Sequence, residues 1–364
     1  MRSGSRSGTA RTASRVLITG GCGFIGTNLA DALAARGDQV IAFDALMREG
    51  AQENACWLKT RWRDRIEVIT ADVRDRDAVC SVIGDCDAVL HLAAQVAVTT
   101  SLEDPLNDFS INALGTLNVL EGLRHRNPTA PIIFASTNKV YGKVTHDDEL
   151  VRRERRYEAV ADRLRQGVTE SAPLDLYSPY GCSKGAADQY VHDYARVFGL
   201  RTAVLRMSCI YGERQFGTED QGWLAHFLIR ALRGEPITIY GDGCQVRDVL
   251  HIGDAVAAWL AALDSIDAIK GRVFNLGGGP ANATSLMEAI DRVGALLGER
   301  PRLRFADWRP GDQPWYVSDI RTISSSLDWE PRIALSGGLR RLESWITSRF
   351  AGGEASRQLQ DVAV

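Results

Sequence analysis

A tyrosine and a lysine lie four residues apart in the segment SPYGCSKGAADQY, at Tyr180 and Lys184. Residues at this spacing share one face of a helix, so a helical segment would turn both side chains toward one cleft. An ammonium group beside a phenol stabilises the phenolate and lowers the tyrosine pKa from its ordinary value of about 10. The pair is therefore a candidate general base, although a surface pair can have the same spacing.

A hydroxyl side chain, Thr137, ends the apolar run PIIFAST upstream of this pair. If the run is a strand of a parallel sheet, its carboxyl end lies at the edge where such sheets bind ligands. The polar residues Asn138 and Lys139 follow directly. The hydroxyl, together with the glycine-rich loop near the start of the chain, favours a reactive tyrosine over a surface pair.

That loop is the segment TGGCGFIG, in which Gly20, Gly23 and Gly26 are spaced three apart, after an apolar run and before a helical pattern. Glycines in this context permit a tight turn and let backbone N–H groups approach a pyrophosphate. Asp44 ends the next apolar run, where a carboxylate can hold a ribose 2′-hydroxyl and would repel a 2′-phosphate. The loop predicts a dinucleotide, with NAD favoured, while Arg48 nearby keeps NADP open.

Short apolar runs alternate with helical patterns from Arg15 onward, the runs being RVLITG, QVIAFD, IEVITAD, DAVLHLAA, PIIFAST and RTAVLRMS. Continuous apolar strands separated by helices predict an α/β fold with a doubly wound parallel sheet. The segment FSINALGTLNVLEGLRHR predicts one long amphipathic helix before the fifth strand. Asp72, at the end of the third run, is placed to contact adenine, or else serves ordinary turn chemistry.

The chain divides by pattern into a dinucleotide-binding domain over 15–212 and a smaller, interleaved lobe over 213–350. The densely charged stretch at about 146–170 is predicted to be a solvated insertion, or alternatively a lid or an oligomer contact. Polar segments at 1–14 and 351–364 are predicted to be disordered tails.

Composition narrows the function classes. The 364 residues carry a formal charge of −3, which provides no electrostatic footprint for nucleic acid or a membrane surface. No apolar run approaches the roughly 20 residues that cross a bilayer. The seven cysteines are scattered without a C-x-x-C pair, which predicts reduced thiols in the cytoplasm, with no metal site and no disulfides.

Five segments, TGGCGFIG, HLAA, ASTNKVYG, YGCSK and YGDGCQVRDVLHIGD, together resemble the nucleotide-sugar epimerase and dehydratase branch of the extended short-chain dehydrogenase/reductase superfamily. The resemblance extends from about Val16 to Trp345 and implies NAD, a nucleotide-diphosphate sugar substrate and a homodimer or homotetramer. The cofactor contacts expected from these motifs and the residues that border them are Gly20, Cys22, Gly23, Phe24, Ile25, Gly26, Asp44, Asp72, Val73, Leu92, Ala93, Ala94, Ser136, Tyr180 and Lys184.

The same resemblance implies a catalytic trio of Thr137, Tyr180 and Lys184. Tyr180 would remove a proton from a sugar hydroxyl while a hydride passes to the nicotinamide. Thr137 would hydrogen-bond the reacting oxygen, and Lys184 would hold the ribose and tune the tyrosine.

The absence of Asp and Glu directly after Thr137 limits the reactions that this chain is expected to catalyse. Within this branch, dehydratases carry Asp and Glu directly after the hydroxyl residue, because eliminating water requires a carboxylate acid and base. This chain has Asn138 and Lys139 there, and neither is a carboxylate. The remaining chemistry is oxidation, rotation of the ketone and reduction from the opposite face, which is epimerisation without net redox change.

A finer resemblance, carried by STNKVYG, AQVAVTTS and RQFGTEDQGWLAHF, is to the CDP-tyvelose (CDP-paratose) 2-epimerase group, which implies inversion at C2 of a CDP-linked deoxyhexose. The alternatives are a 4-epimerase or other isomerase of a UDP-, GDP- or ADP-sugar, a net-redox reductase, and a non-enzymatic NAD sensor. Structural hydrogen bonding remains open for Gln95 and Asn138, as does core packing for Trp223. The candidate substrate contacts are Gln95, Thr137, Asn138, Arg214, Trp223 and Arg247.

Overall fold

Fifteen strands and thirteen α-helices make up the described part of the protein. The computed structural model describes residues 13–361, with backbone alone at Asp147 and at 351–361. Most of the predicted N-terminal tail therefore lies outside the described residues. The strands are β1 Arg15–Thr19, β2 Gln39–Asp44, β3 Ile66–Thr70, β4 Ala88–His91, β5 Ile132–Thr137, β6 Leu150–Arg152, β7 Tyr157–Ala159, β8 Thr202–Met207, β9 Cys209–Tyr211, β10 Ile237–Tyr240, β11 Val246–His251, β12 Arg272–Leu276, β13 Ala283–Ser285, β14 Leu303–Ala306 and β15 Trp315–Tyr316.

The helices surround these strands and supply the connections between them. No helix within residues 13–361 combines the length and the apolar character needed to cross a bilayer. The α-helices are α1 Phe24–Ala35, α2 Ala51–Arg61, α3 Arg76–Ile83, α4 Val98–Glu103, α5 Pro105–Phe109, α6 Gly115–Arg126, α7 Ser178–Phe198, α8 Trp223–Leu232, α9 Ile252–Asp264, α10 Ile266–Ile269, α11 Leu286–Leu297, α12 Arg321–Leu327 and α13 Leu335–Asp361.

A seven-stranded sheet in the order β12-β8-β5-β4-β1-β2-β3 forms the centre of the fold. Every pairing within it is parallel. The predicted doubly wound α/β class is confirmed. The sheet has one strand more than the six predicted apolar runs, because β12, from the smaller lobe's part of the sequence, pairs with β8.

Both faces of this sheet are buried. In β1 the side chains of Val16 and Ile18 enter one hydrophobic core, and the intervening Leu17 enters the other. The first core includes Leu29 of α1 and Trp259 of α9, and the second is closed mainly by α3, α6 and α7. Side chains that alternate between two apolar cores explain why these strands read as continuous apolar runs.

The segment predicted as one regular helix before β5 is helical throughout, but it is not regular. A π-helical turn at Ser110–Leu114 separates α5 from α6. Asp108 and Asn112, at the two sides of the junction, are fully buried, and α5 and the π turn pack against α7. Single π turns of this kind are frequent at functional sites.

The charged insertion at about 146–170 packs onto the smaller lobe, so it is not a free surface loop. Its strands β6 and β7 form an antiparallel hairpin. Leu164 and Val168 are buried in a hydrophobic cluster with residues of β11 and β15. The Tyr157 hydroxyl also donates a hydrogen bond to Asp242, at 2.9 Å.

Helix α13 continues into the segment predicted as a disordered C-terminal tail, so the backbone is helical through residue 361. The sequence EASRQLQ consists largely of good helix formers, which accounts for the continuation. Residues 362–364 lie outside the described part.

A buried ion pair joins α7 to the sheet. The Arg206 guanidinium on β8 donates to both carboxylate oxygens of Asp188, at 2.8 and 2.9 Å. Asp188 also accepts the Ser136 hydroxyl of β5, at 2.6 Å. The exposed fractions of the two charged side chains are 5% and 0%, so each ion depends on the other for solvation.

Replacing Arg206 with Met is expected to lower the free energy of unfolding by about 3–5 kcal/mol, because it leaves Asp188 buried without its cation. Urea denaturation measures the loss. Arg196→Met, on the helix that carries Asp188, is the matched control: its side chain is 62% exposed and pairs with Asp193, so the expected loss is below about 1 kcal/mol. Equal losses in the two variants would contradict the role given to the buried pair.

Candidate active site

The loop between β1 and α1 is too tightly folded to accept side chains at two predicted positions. Gly20 has a φ of +70°, and a Cβ atom there would lie 2.7 Å from the backbone nitrogen of Ala93. At Gly26 a Cβ atom would lie 2.1 Å from the Gly20 carbonyl oxygen. Glycine at both positions therefore permits the tight turn and close backbone packing that are typical of a dinucleotide-binding loop.

Helix α1 begins with backbone N–H groups that no side chain caps. Its N-cap residue is Gly23, and its first turn begins with Phe24 and Ile25 and contains no acidic residue. These N–H groups have no acceptor within the helix, so the positive end of its dipole is available to an anion. The loop and the helix terminus fit the pyrophosphate of NAD.

Asp44 ends β2 beside this loop. One of its carboxylate oxygens accepts the Cys22 N–H at 2.9 Å, and the other accepts the Leu46 N–H at 2.8 Å. These two bonds fix the carboxylate next to the glycine loop, where it suits ribose hydroxyls. Arg48, which keeps NADP open, donates a hydrogen bond to Gln221 in the loop before α8.

Asp72 forms a local ion pair. Arg74 donates to both of its carboxylate oxygens, at 2.6 and 3.0 Å, and these hydrogen bonds lower the pKa of Asp72. The contacts are those of a turn after β3, which was the alternative to a role in binding adenine. An adenine contact by Asp72 stays a prediction.

The remaining residues predicted to contact the cofactor border the same edge of the sheet. Leu92, Ala93 and Ala94 follow β4, and the Ala93 N–H donates to the Thr19 hydroxyl at 3.2 Å. Val73 follows β3, and Ser136 is the penultimate residue of β5. Their roles as contacts stay predictions.

The structure brings Thr137, Tyr180 and Lys184 together at the junction of β5 and α7. The Thr137 hydroxyl lies close enough to the Tyr180 phenol to lower its pKa, and the two residues are 8% and 7% exposed. The Lys184 amine donates to the Ala135 carbonyl at 2.6 Å and lies 4.2 Å from the centre of the Phe134 ring. The three side chains therefore lie in a site that is largely shielded from solvent.

Burial shifts the pKa of Tyr180 in the direction opposite to the one that its spacing from Lys184 predicts. It raises the pKa of Tyr180 to about 12, and the nearby Thr137 hydroxyl only partly opposes it. It also lowers the pKa of Lys184 to about 7. The expectation of a lowered tyrosine pKa is wrong, because the loss of water on burial outweighs the nearby charges.

The polar residues after Thr137 form a short 3₁₀ helix, Asn138–Tyr141. The Asn138 side chain is buried and lies near the Thr137 hydroxyl, with 3.4 Å between the two oxygens. The Lys139 amine donates to the Gly311 carbonyl at 3.3 Å. Partial burial and the positive charge of Arg247 lower the pKa of Lys139 to about 8.

Arg247 on β11 is held by a carboxylate that the sequence prediction missed. Its guanidinium donates to Asp312 at 2.6 Å and to the Val246 carbonyl at 2.8 Å. Asp312 also lies 4.0 Å from the Lys139 amine, so two cations share one carboxylate. The only sequence signal for Asp312 is a Pro-Gly turn followed by an acid, which predicts a loop but not its partners.

Two other candidate substrate residues have internal contacts. The Gln95 amide donates to the Ala97 carbonyl at 2.8 Å, while its buried side-chain oxygen has no hydrogen-bond partner among the described residues. The Trp223 indole N–H points to the Cys209 sulfur at 3.4 Å, and its ring packs edge-on against Phe227. Gln95 thus retains an acceptor for a ligand, whereas these contacts of Trp223 are packing contacts.

Arg214 does not join this group. Its guanidinium stacks on the Trp57 ring of α2, 3.8 Å from the ring centre. Glu53 and Asp31 supply the nearby negative charges. These neighbours belong to α1 and α2, so the prediction that Arg214 contacts the sugar has no support in the described contacts.

Comparison with known proteins identifies the family. The model of the NAD-dependent epimerase/dehydratase family matches residues 16–277. The chain belongs to this family. A CDP-paratose 2-epimerase from Salmonella typhi is 42% identical over 341 residues, covering 92% of this chain and 99% of that protein. A putative UDP-glucose 4-epimerase from Methanocaldococcus jannaschii is 32% identical, covering 91% of this chain and 98% of that protein.

Solved structures of the family share the fold. UDP-glucuronic acid 4-epimerase from Bacillus cereus, in complex with UDP-glucuronic acid and NAD, is 28% identical with a TM-score of 0.79. Thermus thermophilus UDP-glucose 4-epimerase, in complex with NAD, is 30% identical with a TM-score of 0.76. Each comparison covers 92% of this chain and 99% of the other. The predicted superfamily, with its NAD-dependent nucleotide-sugar epimerases, is confirmed.

Gly26→Ala is expected to abolish retention of NAD, because the added methyl group would collide with the Gly20 carbonyl in the loop. The cofactor content of the purified protein, measured by chromatography after acid extraction, tests this. Gly84→Ala is the control, because Gly84 has helical dihedral angles and a Cβ atom there meets nothing within 4 Å. Equal NAD content in both variants would rule out the assignment of the loop.

Proposed function

We propose that this protein inverts C2 of a CDP-linked deoxyhexose, with NAD as the cofactor, in a reaction of the CDP-paratose to CDP-tyvelose type. The observation that carries the proposal is the strip Thr137-Asn138-Lys139 beside Tyr180, which provides a hydroxyl and two polar groups but no carboxylate. The 42% identity with the Salmonella enzyme along nearly the full length of both chains supports it.

Tyr180 is the proposed proton acceptor. As the phenolate, its oxygen receives the proton of the sugar hydroxyl and later returns it to the reduced product, while Thr137 hydrogen-bonds the reacting oxygen. Bound NAD supplies the hydride acceptor and then the hydride donor, and its oxidised ring adds the positive charge that a buried phenol needs in order to ionise. Lys184 holds the ribose and adds to that charge when protonated.

Inversion requires that the ketone turn over between the two hydride transfers. Asn138 is the proposed hydrogen-bond partner of the turning sugar, because its buried amide lies next to the Thr137 hydroxyl. Lys139, held by the Gly311 carbonyl, has no acceptor group with which to remove a proton while it is charged. The ketone is therefore reduced again and does not lose water.

The nucleotide diphosphate is assigned to Arg247. A guanidinium presents paired N–H donors that match phosphate oxygens, and Asp312 fixes its orientation from the far side. Gln95, with its free side-chain oxygen, is a proposed contact to a sugar hydroxyl.

The alternative is a 4-epimerase of a UDP-, GDP- or ADP-sugar. The 32% identity with the Methanocaldococcus protein and the 4-epimerase neighbours favour this reading. The trio would oxidise whichever hydroxyl the pocket presents, so the two reactions differ in how the sugar is held.

We further propose a cytoplasmic homodimer. The seven cysteines are unpaired, as thiols are in a reducing compartment. Large apolar side chains are exposed on α5 and α7, among them Leu106 at 82%, Phe109 at 55% and Val197 at 62%. A second copy packed on these helices would remove them from water.

Tyr180→Phe is expected to lower kcat roughly 100- to 10,000-fold, because the ring remains but the proton acceptor is lost. NAD content should stay at the wild-type level. Tyr177→Phe is the control, since Tyr177 is an exposed tyrosine just before α7. Wild-type turnover by Tyr180→Phe would exclude the tyrosine mechanism.

Incubation with CDP-, UDP-, GDP- and ADP-sugars, followed by NMR of each product, tests the reaction. We expect inversion at C2 of a CDP-deoxyhexose. In D₂O the inverted carbon should carry no deuterium, because the hydride removed is the one returned. Exclusive inversion at C4 of another nucleotide sugar would support the alternative, and deuterium at the inverted carbon would exclude transient oxidation there.

A further inference from the structure

Asp108 is a buried carboxylate that no predicted role includes. It lies in α5, at the start of the π turn, and is 0% exposed. The Ser183 hydroxyl and the Asn112 amide donate hydrogen bonds to it, the latter at 3.1 Å. Both donors are neutral, so among the described residues Asp108 has no ion-pair partner within contact distance.

A second buried carboxylate near the trio is arranged differently. Asp188 is paired with Arg206 through two hydrogen bonds, as described above. Its negative charge is therefore largely balanced within the pair. Asp108 lacks such a partner, and a buried carboxylate without one is costly to keep in a fold.

Lys184 is the cation that acts on Asp108, and its charge opposes the rise that burial causes in the pKa of Asp108. Ser183, the residue before Lys184 in α7, forms the hydrogen bond that ties the carboxylate to this helix. The two charged side chains thus approach the same turn of α7, one from within the helix and one from α5.

Two carboxylates, Asp188 and to a smaller extent Asp108, oppose the fall that burial causes in the pKa of Lys184. From β5, Lys184 meets the Ala135 carbonyl and the Phe134 ring. From β4 it meets His91, whose pKa burial lowers to about 3, so the ring is neutral. On its own helix the charged group is Asp188, which is already paired with Arg206, whereas burial keeps the phenol of Tyr180, one turn before Lys184, protonated near neutral pH.

We propose that Asp108 is a positioning residue that keeps the Lys184 amine in its ammonium form. Burial alone favours the neutral amine, and a carboxylate without another cation offsets this by Coulomb attraction. The value of an ammonium here, to hold the ribose and stabilise a phenolate, rests on the proposed function. The charge coupling itself does not depend on which sugar is the substrate.

Asp108 also acts on Tyr180. The negative charge of Asp108 raises the pKa of the phenol, whereas the positive charge of Arg48 lowers it. Removing the carboxylate should therefore favour the phenolate directly while it disfavours the ammonium. The two effects move both titrations to lower pH, which a loss of packing alone would not do.

The test is a pH titration of the protein as purified, with its bound NAD, labelled with [¹³Cε]lysine and followed by NMR. The chain has only five lysines, and the Lys184 signal is the one that Lys184→Arg removes. In Asp108→Asn we expect the midpoint of that signal to fall by about one pH unit. Ser183→Ala keeps the carboxylate but removes a hydrogen bond that stabilises its charged form, so a smaller shift in the same direction is expected.

Asp104→Asn is the matched control. Asp104 is the exposed N-cap residue of the same helix, and Asn caps equally well, so the Lys184 midpoint should not move. An unchanged or higher midpoint in Asp108→Asn would overturn the proposal; if that variant does not fold, an unchanged midpoint in Ser183→Ala would do so. Because the titration contains no substrate, its result can be interpreted even if the protein converts none of the nucleotide sugars in the panel.

Discussion

The packing of helix α7 against the carboxyl end of β5 is the contact on which the site depends. It places the Tyr180 phenol of the helix close enough to the Thr137 hydroxyl of the strand for its pKa to be lowered, and it places the Lys184 amine on the Ala135 carbonyl. The ion pair of α7 with β8 fixes the same helix one turn later. Since α7 carries two of the three reactive groups, a small displacement of this helix would separate the trio.

The packing of α7 against β5 also excludes water from the site. Burial makes Lys184 a weaker base and Tyr180 a weaker acid than they would be in water. Charge in such a site is set by identifiable neighbours instead of by solvent. The carboxylates of Asp108 and Asp312 therefore matter as much as the groups that the motifs make obvious.

Local patterns in the sequence predicted the parts of the site that lie within one strand, turn or helix. The glycine loop, the strand that ends at Thr137 and the helical spacing of Tyr180 and Lys184 are of this kind, and the fold class follows from the alternation of apolar runs with helices. Partners that meet only through tertiary packing were not predictable: Asp312 is 65 residues from Arg247, a separation that no periodic pattern records.

Irregular backbone accounts for most of the remaining differences. The π turn beside Asp108 interrupts a segment whose apolar pattern predicts a uniform helix. Arg214 lies in a loop with a φ of +70° and stacks on Trp57, and its contact with the sugar stays a prediction. The charged insertion is rich in Arg and Glu, so its composition predicts exposure to solvent. Its few apolar side chains nevertheless pack against β11 and β15.

The contact of Lys139 with the Gly311 loop has a consequence for redesign. The strip that lacks dehydratase acids also contacts the loop before β15, because Lys139 donates to Gly311 and lies 4.0 Å from Asp312. A glutamate at position 139 could not donate to the Gly311 carbonyl, and Arg247, whose positive charge already lowers the pKa of Lys139, would attract it. Converting this scaffold to water elimination would therefore also release the Gly311 loop, since reaction type and this contact share one side chain.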